Sequence, residues 1–437
     1  MTDIKIIGAG LAGCESSWQI ANRGFTVELY EMRPEKLTPA HKTGFFAELV
    51  CSNSLGSENR EYRITGQGIL KEELELLDSL ILSCAKETRV PAGGALAVDR
   101  DKFAGLVTEK ITSNNKITVI RKECEKLPRG LTIIASGPLT GGKLAANLKV
   151  LADQQISFYD AVAPVVTKDS IDMKKAFVAG RYGHDEDYIN CAFFTKKKYS
   201  EFYEALIKAE RHLPHDFEQK DAKYFRGCMP IEVIAASGFS SMRFGPLKPV
   251  GIVNPKTGKD DFYAIVQLRQ DNSDGTLYNL VGFQTGLKWG EQKKVFSMIP
   301  GLEHAEFVRF GVMHRNTSVN APAVLDEYLR LKKWNKIFIA GQLVGVEGYM
   351  ESTAMGLVTG IHAARTLANK ELPIWPRETG IGSLMHYLQT TKPKSFQPMN
   401  VNLGIFPALP DIKDRDERAK ISRENAVKAM RKFVKTL

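Results

Sequence analysis

"IKIIGAGLAGCESSWQIANRGFTVELYE", residues 4–31, opens on Ile4, Ile6 and Ile7 and then breaks at Gly8-x-Gly10-x-x-Gly13. The β-branched run predicts a buried strand, the glycines a tight turn, the next segment a helix, and "FTVELYE" a second strand. Each glycine has its own task in such a unit. Gly8 permits the turn, Gly10 with Ala9 lets backbone approach a pyrophosphate at the helix N-terminus, and Gly13 lets helix and strand lie close. Glu31 ends the second strand eighteen residues after Gly13, where a carboxylate can accept from ribose hydroxyls. Strand, glycines, helix, strand and acid in that order predict a dinucleotide site. Glycines alone would fit an ordinary turn.

Two later stretches choose between FAD and NAD as the bound dinucleotide. "LTIIASGP", residues 131–138, is an apolar strand ending in a small-residue turn at Gly137. "NKIFIAGQLVGVEGYMESTAMGLVTGIHAARTL", residues 335–367, predicts a strand over 337–340, then Gly341, Gln342, Gly345 and Gly348 in a loop, then a helix whose N-terminal amides can face a flavin or its phosphates. A fingerprint completed hundreds of residues downstream suits FAD, which needs an extended groove. The cofactor-binding candidates are therefore Gly8, Ala9, Gly10, Gly13, Glu31, Gly137, Gly341, Gln342, Gly345 and Gly348.

The chain has 437 residues, enough for two or three domains with their own cores. It is 43% hydrophobic and 25% charged, the balance of a water-soluble enzyme, and no apolar run is long enough to span a bilayer. The N-terminus carries glycines where a signal peptide would carry a long apolar stretch, so a cytoplasmic location is expected. Six cysteines are widely spaced with no CxxC pair, which argues against a metal site or a disulfide framework. A net charge of +10 favours polyanionic partners.

The pattern changes between residues 151 and 307. "YINCAFFTKKKYSEFYEALIKAERHL" carries an amphipathic helix, and "DFYAIVQLRQDNSDGTLYNLVGFQT" alternates like paired strands around Asp274-Gly275. The expected division is a first FAD-binding part at 1–150, an inserted substrate-facing or RNA-facing α+β domain at 151–307, and a second FAD-binding part at 308–437. A basic helix ends the chain and reads as a solvated cap.

"FAELVCSNSLG", residues 46–56, sets Cys51 where an apolar run gives way to a polar one, with no nearby His to act as a base. Together with "LLDSLILSCAKETRVPAGGALAVDRDKF", "GCMPIE", "RFGPLKPVG", "YAIVQLRQDN", "LKWGEQKKVFSMIPGLEHAEFVRFGVMHRNT", "AGQLVGVEGYMES" and "FQPMNVN", it resembles the bacterial folate- and FAD-dependent tRNA uracil-5 methyltransferases. The likeness covers nearly the whole chain. It departs from the family pattern at Gly56, Arg226 and Gly286, which bears on the RNA bound and not on the cysteines.

The resemblance implies an α/β fold, with a Rossmann-like FAD domain of the glutathione-reductase type built from both ends of the chain around an inserted domain. It implies FAD, methylenetetrahydrofolate as carbon donor, NADH or NADPH as reductant, and a T-loop uridine of tRNA as acceptor. It also implies two active-site cysteines, matched here by Cys51 and Cys228. Cys228 is the expected nucleophile at uracil C6 and Cys51 its partner, since C5 is a poor nucleophile until a thiolate adds at C6. The charge then moving to O4 calls for a cation, with Arg243, Lys248 and Arg269 as candidates. The same chemistry on 23S ribosomal RNA, a small-molecule flavin oxidoreductase, and a non-catalytic flavin-holding RNA-binding subunit are the alternatives.

Overall fold

The computed structural model describes residues 2–38, 40–61, 63–125, 129–152, 155–161, 163–183, 188–211, 229–272, 274–311, 313–409 and 411–437. Cys228 lies outside the described residues, as does Arg226.

The strand Ile4–Ile7 sits inside a six-stranded sheet. It pairs in parallel with Val27–Glu31 on one side and Thr132–Ile134 on the other. Ile117–Arg121 extends the first edge, Trp334–Ile339 the second, and the short antiparallel strand Arg330–Leu331 closes that end. Ile4, Ile6, Ile7, Ile133, Ile134, Phe338 and Ile339 are all buried, as parallel strands covered on both faces require. The sheet thus joins the first seven residues to a strand more than three hundred residues later, which is the split nucleotide domain read from the two glycine-rich segments.

The helices Leu11–Ala21 and Tyr349–Leu367 pack on this sheet and on each other. Their approach is close because small residues meet: the Ser16 hydroxyl donates to the Gly356 carbonyl at 2.7 Å, and a Cβ on Gly360 would lie 3.0 Å from the Ser16 Cα. One apolar core therefore receives residues from both ends of the chain.

The insert has its own sheet, in the order Phe177–Val178, Tyr188–Phe193, Ala264–Gln270, Leu277–Leu280, Val165–Thr167, Phe307–Arg309, every pairing antiparallel. Ala264–Gln270 and Leu277–Leu280 are the hairpin foreseen around Asp274-Gly275, with Gly275 at φ +66°. The helix Lys196–Lys208 buries Tyr199, Phe202 and Leu206 against this sheet in a second core. The two cores are bridged by a ribbon, Gln155–Ala161 antiparallel to Met313–Val319.

The last helix, Arg415–Val434, starts at an Asp414 cap whose side chain accepts from the Glu417 amide. It buries Ala419, Ala426, Met430 and Phe433 in a single stripe, and Arg423 pairs with Glu72 on the helix Gly66–Leu76. Among the described residues no helix is long and apolar enough to cross a membrane, and no acidic, His and Cys cluster could hold a metal ion.

Candidate active site and cofactor cavity

The turn after Ile7 is built by sterics. Gly8 has φ +99°, and a Cβ there would sit 2.6 Å from the Ala135 carbonyl oxygen; one on Gly13 would collide with the Gly8 carbonyl. Gly10 is different, because a Cβ on it would meet no atom within 4 Å and would project into a cavity of about 450 Å³. Gly10 also begins the helix Leu11–Ala21, which has no side-chain cap and no acidic residue in its first turn. Its leading amides are left for an anion, which the helix dipole favours.

Glu31 lies at the same cavity and is buried. Its carboxylate accepts from the Ala9 amide at 2.9 Å and from the Arg33 amide, Nε and Nη2 at 3.0, 2.9 and 3.2 Å. Burial pushes the Glu31 carboxyl upward, but Arg33 and the two amides outweigh it and the net shift is downward, so the group is held ionised. Arg33 also reaches Glu48 at 3.3 Å, and both line the cavity. Sequence reading missed Arg33; its only local signal is a basic residue two positions after a strand-ending acid.

The later segments complete the wall. Gly137, Gly341, Gln342 and Gly348 line the cavity, with Gln342 donating to both Glu347 carboxylate oxygens at 2.8 Å. Gly345 is placed elsewhere, under the Phe396 ring, and is not part of the wall. The helix Tyr349–Leu367 has no side-chain cap and opens on the cavity, bringing the positive end of its dipole there. Glu351, in its first turn, is buried and accepts from the Val401 amide at 3.0 Å; burial pushes its carboxyl up to about 7. Two glycine-built helix starts opening on one cavity, with an ionised acid at the end of the second strand in its wall, fit a flavin dinucleotide.

Cys51 lies in this wall, half-buried. The Tyr349 hydroxyl accepts from the Cys51 amide at 2.8 Å and from the Ser52 amide at 3.3 Å, which ties the loop to the start of the late helix. On the other side the insert holds it. Arg269 Nη2 donates to the Ser52 hydroxyl at 2.7 Å, Asn53 donates to the Gln270 carbonyl at 2.9 Å, and Asn279 donates to Asn53 Oδ1 at 3.1 Å. Burial pushes the thiols of Cys14, Cys84, Cys124 and Cys191 up, Cys84 to about 12.

Of the three candidate cations only Arg269 is brought to this loop, and it touches Ser52 without itself lining the cavity. Arg243 is spent on Tyr263, donating to its carbonyl at 2.7 Å and lying 3.9 Å from its ring centre. Lys248 is exposed, and its carbonyl accepts from Arg181. The described residues following Cys228 are tied to the cavity wall. The Ile231 amide donates to the carbonyl of Gln284, a lining residue, at 2.7 Å. The buried Glu232 accepts from the Thr285 hydroxyl and the Gly286 amide, both at 2.8 Å.

Comparison with known proteins follows the same lines. A family model described as "Glucose inhibited division protein A" matches residues 3–371. "Methylenetetrahydrofolate--tRNA-(uracil-5-)-methyltransferase TrmFO" of Desulforudis audaxviator is 56% identical over 95% of this chain and 94% of its own length. The protein of that name from Listeria monocytogenes is 52% identical over 99% of both. Among solved structures, Aquifex aeolicus GidA superposes with a TM-score of 0.70 at 17% identity, covering 99% of this chain and 73% of its own, which establishes the shared flavoprotein fold.

Proposed function

We propose that this chain, which belongs to the family of methylenetetrahydrofolate–tRNA-(uracil-5-)-methyltransferases, methylates C5 of the T-loop uridine of tRNA with Cys228 and Cys51 as its reacting thiols. The folate-dependent methylation of a tRNA uracil is the activity its relatives carry in their names. Their acceptor is tRNA in each case, which supports tRNA over 23S ribosomal RNA, and their chemistry replaces the small-molecule oxidoreductase and non-catalytic readings. The division of the chain at 1–150, 151–307 and 308–437 is part of the same proposal.

The observation that carries the reading is the meeting at Cys51 of three parts of the chain: the cofactor cavity, the late helix through Tyr349 and the insert through Arg269. Bound in that cavity, FAD supplies the hydride and one-carbon transfer chemistry, drawn from NADH or NADPH and methylenetetrahydrofolate. The chain's own residues prepare the base. Addition of the Cys228 thiolate to uracil C6 pushes electron density onto O4 and makes C5 a carbon nucleophile. The Cys51 sulfur takes the C5 proton once the new carbon–carbon bond exists, and departure of the Cys228 thiolate restores the ring double bond. Arg269, a buried cation at the Cys51 loop, and the uncapped helix at Tyr349 both favour negative charge at that end of the cavity. The base must leave its stack to arrive there.

The test uses the holoenzyme with labelled methylenetetrahydrofolate, NADPH and unmodified tRNA. Label is expected in the T-loop uridine. Cys228→Ala should remove it altogether, and Cys51→Ala should stop turnover. With 5-fluorouridine at the acceptor position the adduct should stall, and peptide mass spectrometry should place it on Cys228. Attachment at Cys51 would reverse the two roles; attachment at Cys14, Cys84, Cys124 or Cys191 would end this account of the site.

A further inference from the structure

Glu351 is an acid in the cavity wall to which the functional reading gives no task. It stands in the first turn of the helix Tyr349–Leu367 and is 1% exposed. Its two oxygens are fixed from different sides. Oε1 accepts from the Val401 amide at 3.0 Å, and Oε2 lies so close to Gly348 that a Cβ there would collide with it. Gln67, another wall residue, donates to the carboxylate through its side-chain amide.

Its charged partner is Lys71, 5% exposed. Lys71 follows Gln67 by one turn of the helix Gly66–Leu76, and one residue clamps both. The Ser57 amide donates to Gln67 Oε1 at 3.0 Å, and Lys71 Nζ donates to the Ser57 carbonyl at 2.9 Å. Burial raises the Glu351 carboxyl and lowers the Lys71 ammonium, and the charge of each opposes the shift of the other. Among the described residues, the groups that face Glu351 are Lys71, Gln67, Gly348 and the Val401 amide, of which Lys71 is the titratable one. Glu347, four positions earlier, is turned to Gln342. A buried acid and base that depend on each other for their charge respond as a unit to any charge placed beside them.

We propose that the Glu351–Lys71 pair takes up one proton from solvent when the flavin in this cavity is reduced, and returns it when the flavin is reoxidised. The proposal rests on FAD occupying the cavity as read above. Hydride from NADPH carries two electrons and one hydrogen nucleus to the flavin and leaves it with one negative charge. The pair changes in step from carboxylate and ammonium to carboxylic acid and ammonium, so the charge of the site as a whole is conserved. When the hydride leaves for the one-carbon unit, the carboxyl releases its proton to solvent. Two negative charges at one buried wall repel, and protonating the carboxylate removes one of them. The thiolate and O4 charges of the proposed reaction then develop beside a wall with one charge fewer. Glu351 is in this sense a positioning residue, acting through the flavin rather than on the base.

The experiment is a spectroelectrochemical titration of the FAD-loaded protein, without tRNA or folate, from pH 7.5 to 8.5. For a two-electron couple each proton taken up lowers the midpoint by about 30 mV per pH unit, so two protons give about 60 mV. The parent should show the two-proton slope. The double variant Glu351→Gln/Lys71→Met, which keeps both shapes without their charges, should show the one-proton slope. The reduced-minus-oxidised infrared difference spectrum of the parent should gain a protonated carboxyl band that Glu351→Gln lacks, a signature that a purely structural pair would not give. A one-proton slope in the parent, no carboxyl band in the parent, or an unchanged slope in the double variant overturns the proposal. The first two are read on the parent alone, so they stand whether or not the variant folds. Protein that retains no FAD overturns the placement of the cofactor instead, and is told apart because no flavin couple is then measured.

Discussion

Adding one methyl group at two glycines of the same turn should separate cofactor binding from folding. At Gly10 the new Cβ meets no protein atom within 4 Å and enters the cavity, and the backbone there, at φ −75°, is one that alanine adopts freely. Gly10→Ala should therefore leave the flavin-free protein within about 0.5 kcal/mol of its original stability. The same methyl would stand where a pyrophosphate oxygen approaches the helix amides. Losing one charge-assisted hydrogen bond, worth about 1.5–3 kcal/mol, should weaken FAD binding by roughly ten- to a hundred-fold. At Gly13 the methyl collides with the Gly8 carbonyl oxygen, which is backbone and cannot rotate away. Gly13→Ala should cost on the order of 1–3 kcal/mol or more even without flavin, because helix and strand must be pushed apart. Urea unfolding of the flavin-free proteins measures the first quantity, and titration with FAD followed by flavin fluorescence measures the second. A Gly10→Ala protein that binds FAD normally would refute the placement of the cofactor on this turn, and a Gly13→Ala protein as stable as its parent would refute the close packing of helix and strand.

Two further outcomes are expected. His362 is buried, accepts from Trp375 Nε1 at 3.2 Å, and is held neutral because burial lowers its imidazole from the ordinary 6.5 to about 4. As pH falls the unfolded chain takes up this proton first, so the contribution is complete above the unfolded value and erodes from there down to about pH 4, by about 2 kcal/mol at pH 5. Glu73 and Glu351, pushed up by burial, work in the opposite sense, so the quantity to read is the difference between parent and His362→Gln in urea midpoint at pH 7 and pH 5. Equal pH dependence in the two proteins would contradict it. With a net charge of +10, tRNA affinity should fall steeply with salt, by about 0.7–0.9 in log K per log unit of salt for each phosphate contacted, and a flat titration would remove the electrostatic argument.

What was legible in the sequence is what local sterics encode. The turn at Gly8, Gly10 and Gly13 and the hairpin at Asp274-Gly275 are fixed by φ and by close approach, and both are where the residues place them. The sheet order of the insert was not legible. Val165–Thr167 pairs with Leu277–Leu280 and Phe307–Arg309, partners more than a hundred residues away, and periodicity carries no information about pairing. The same distance hides the polar contacts of the site. Ser52 and Arg269 are 217 positions apart, and Glu232 meets Thr285 across 53. Gly345 shows the converse error available to motif reading: a glycine in a cofactor loop can be there for the ring packed against it.

The Cys51 loop is held by groups that cannot be separated cheaply. Asn53 donates to the Val98 and Gln270 carbonyls and accepts from Asn279; Asn279 also donates to Asp271, and Asp271 receives Arg100 at 3.0 Å. Arg100 in turn donates to the Leu49 carbonyl, two residues before Cys51. All of these polar groups are buried, so sliding the insert against the nucleotide half along this seam would strand several of them at about 1–3 kcal/mol each. Thermal motion does not supply that, and the seam therefore behaves as a fixed mount rather than a hinge. On the role proposed for Cys51, an incoming base meets it with its loop already ordered, its conformational entropy lost during folding instead of at the moment of reaction. The polar network of the insert, which looks structural, thereby sets how near the sulfur stands to whatever enters from the RNA.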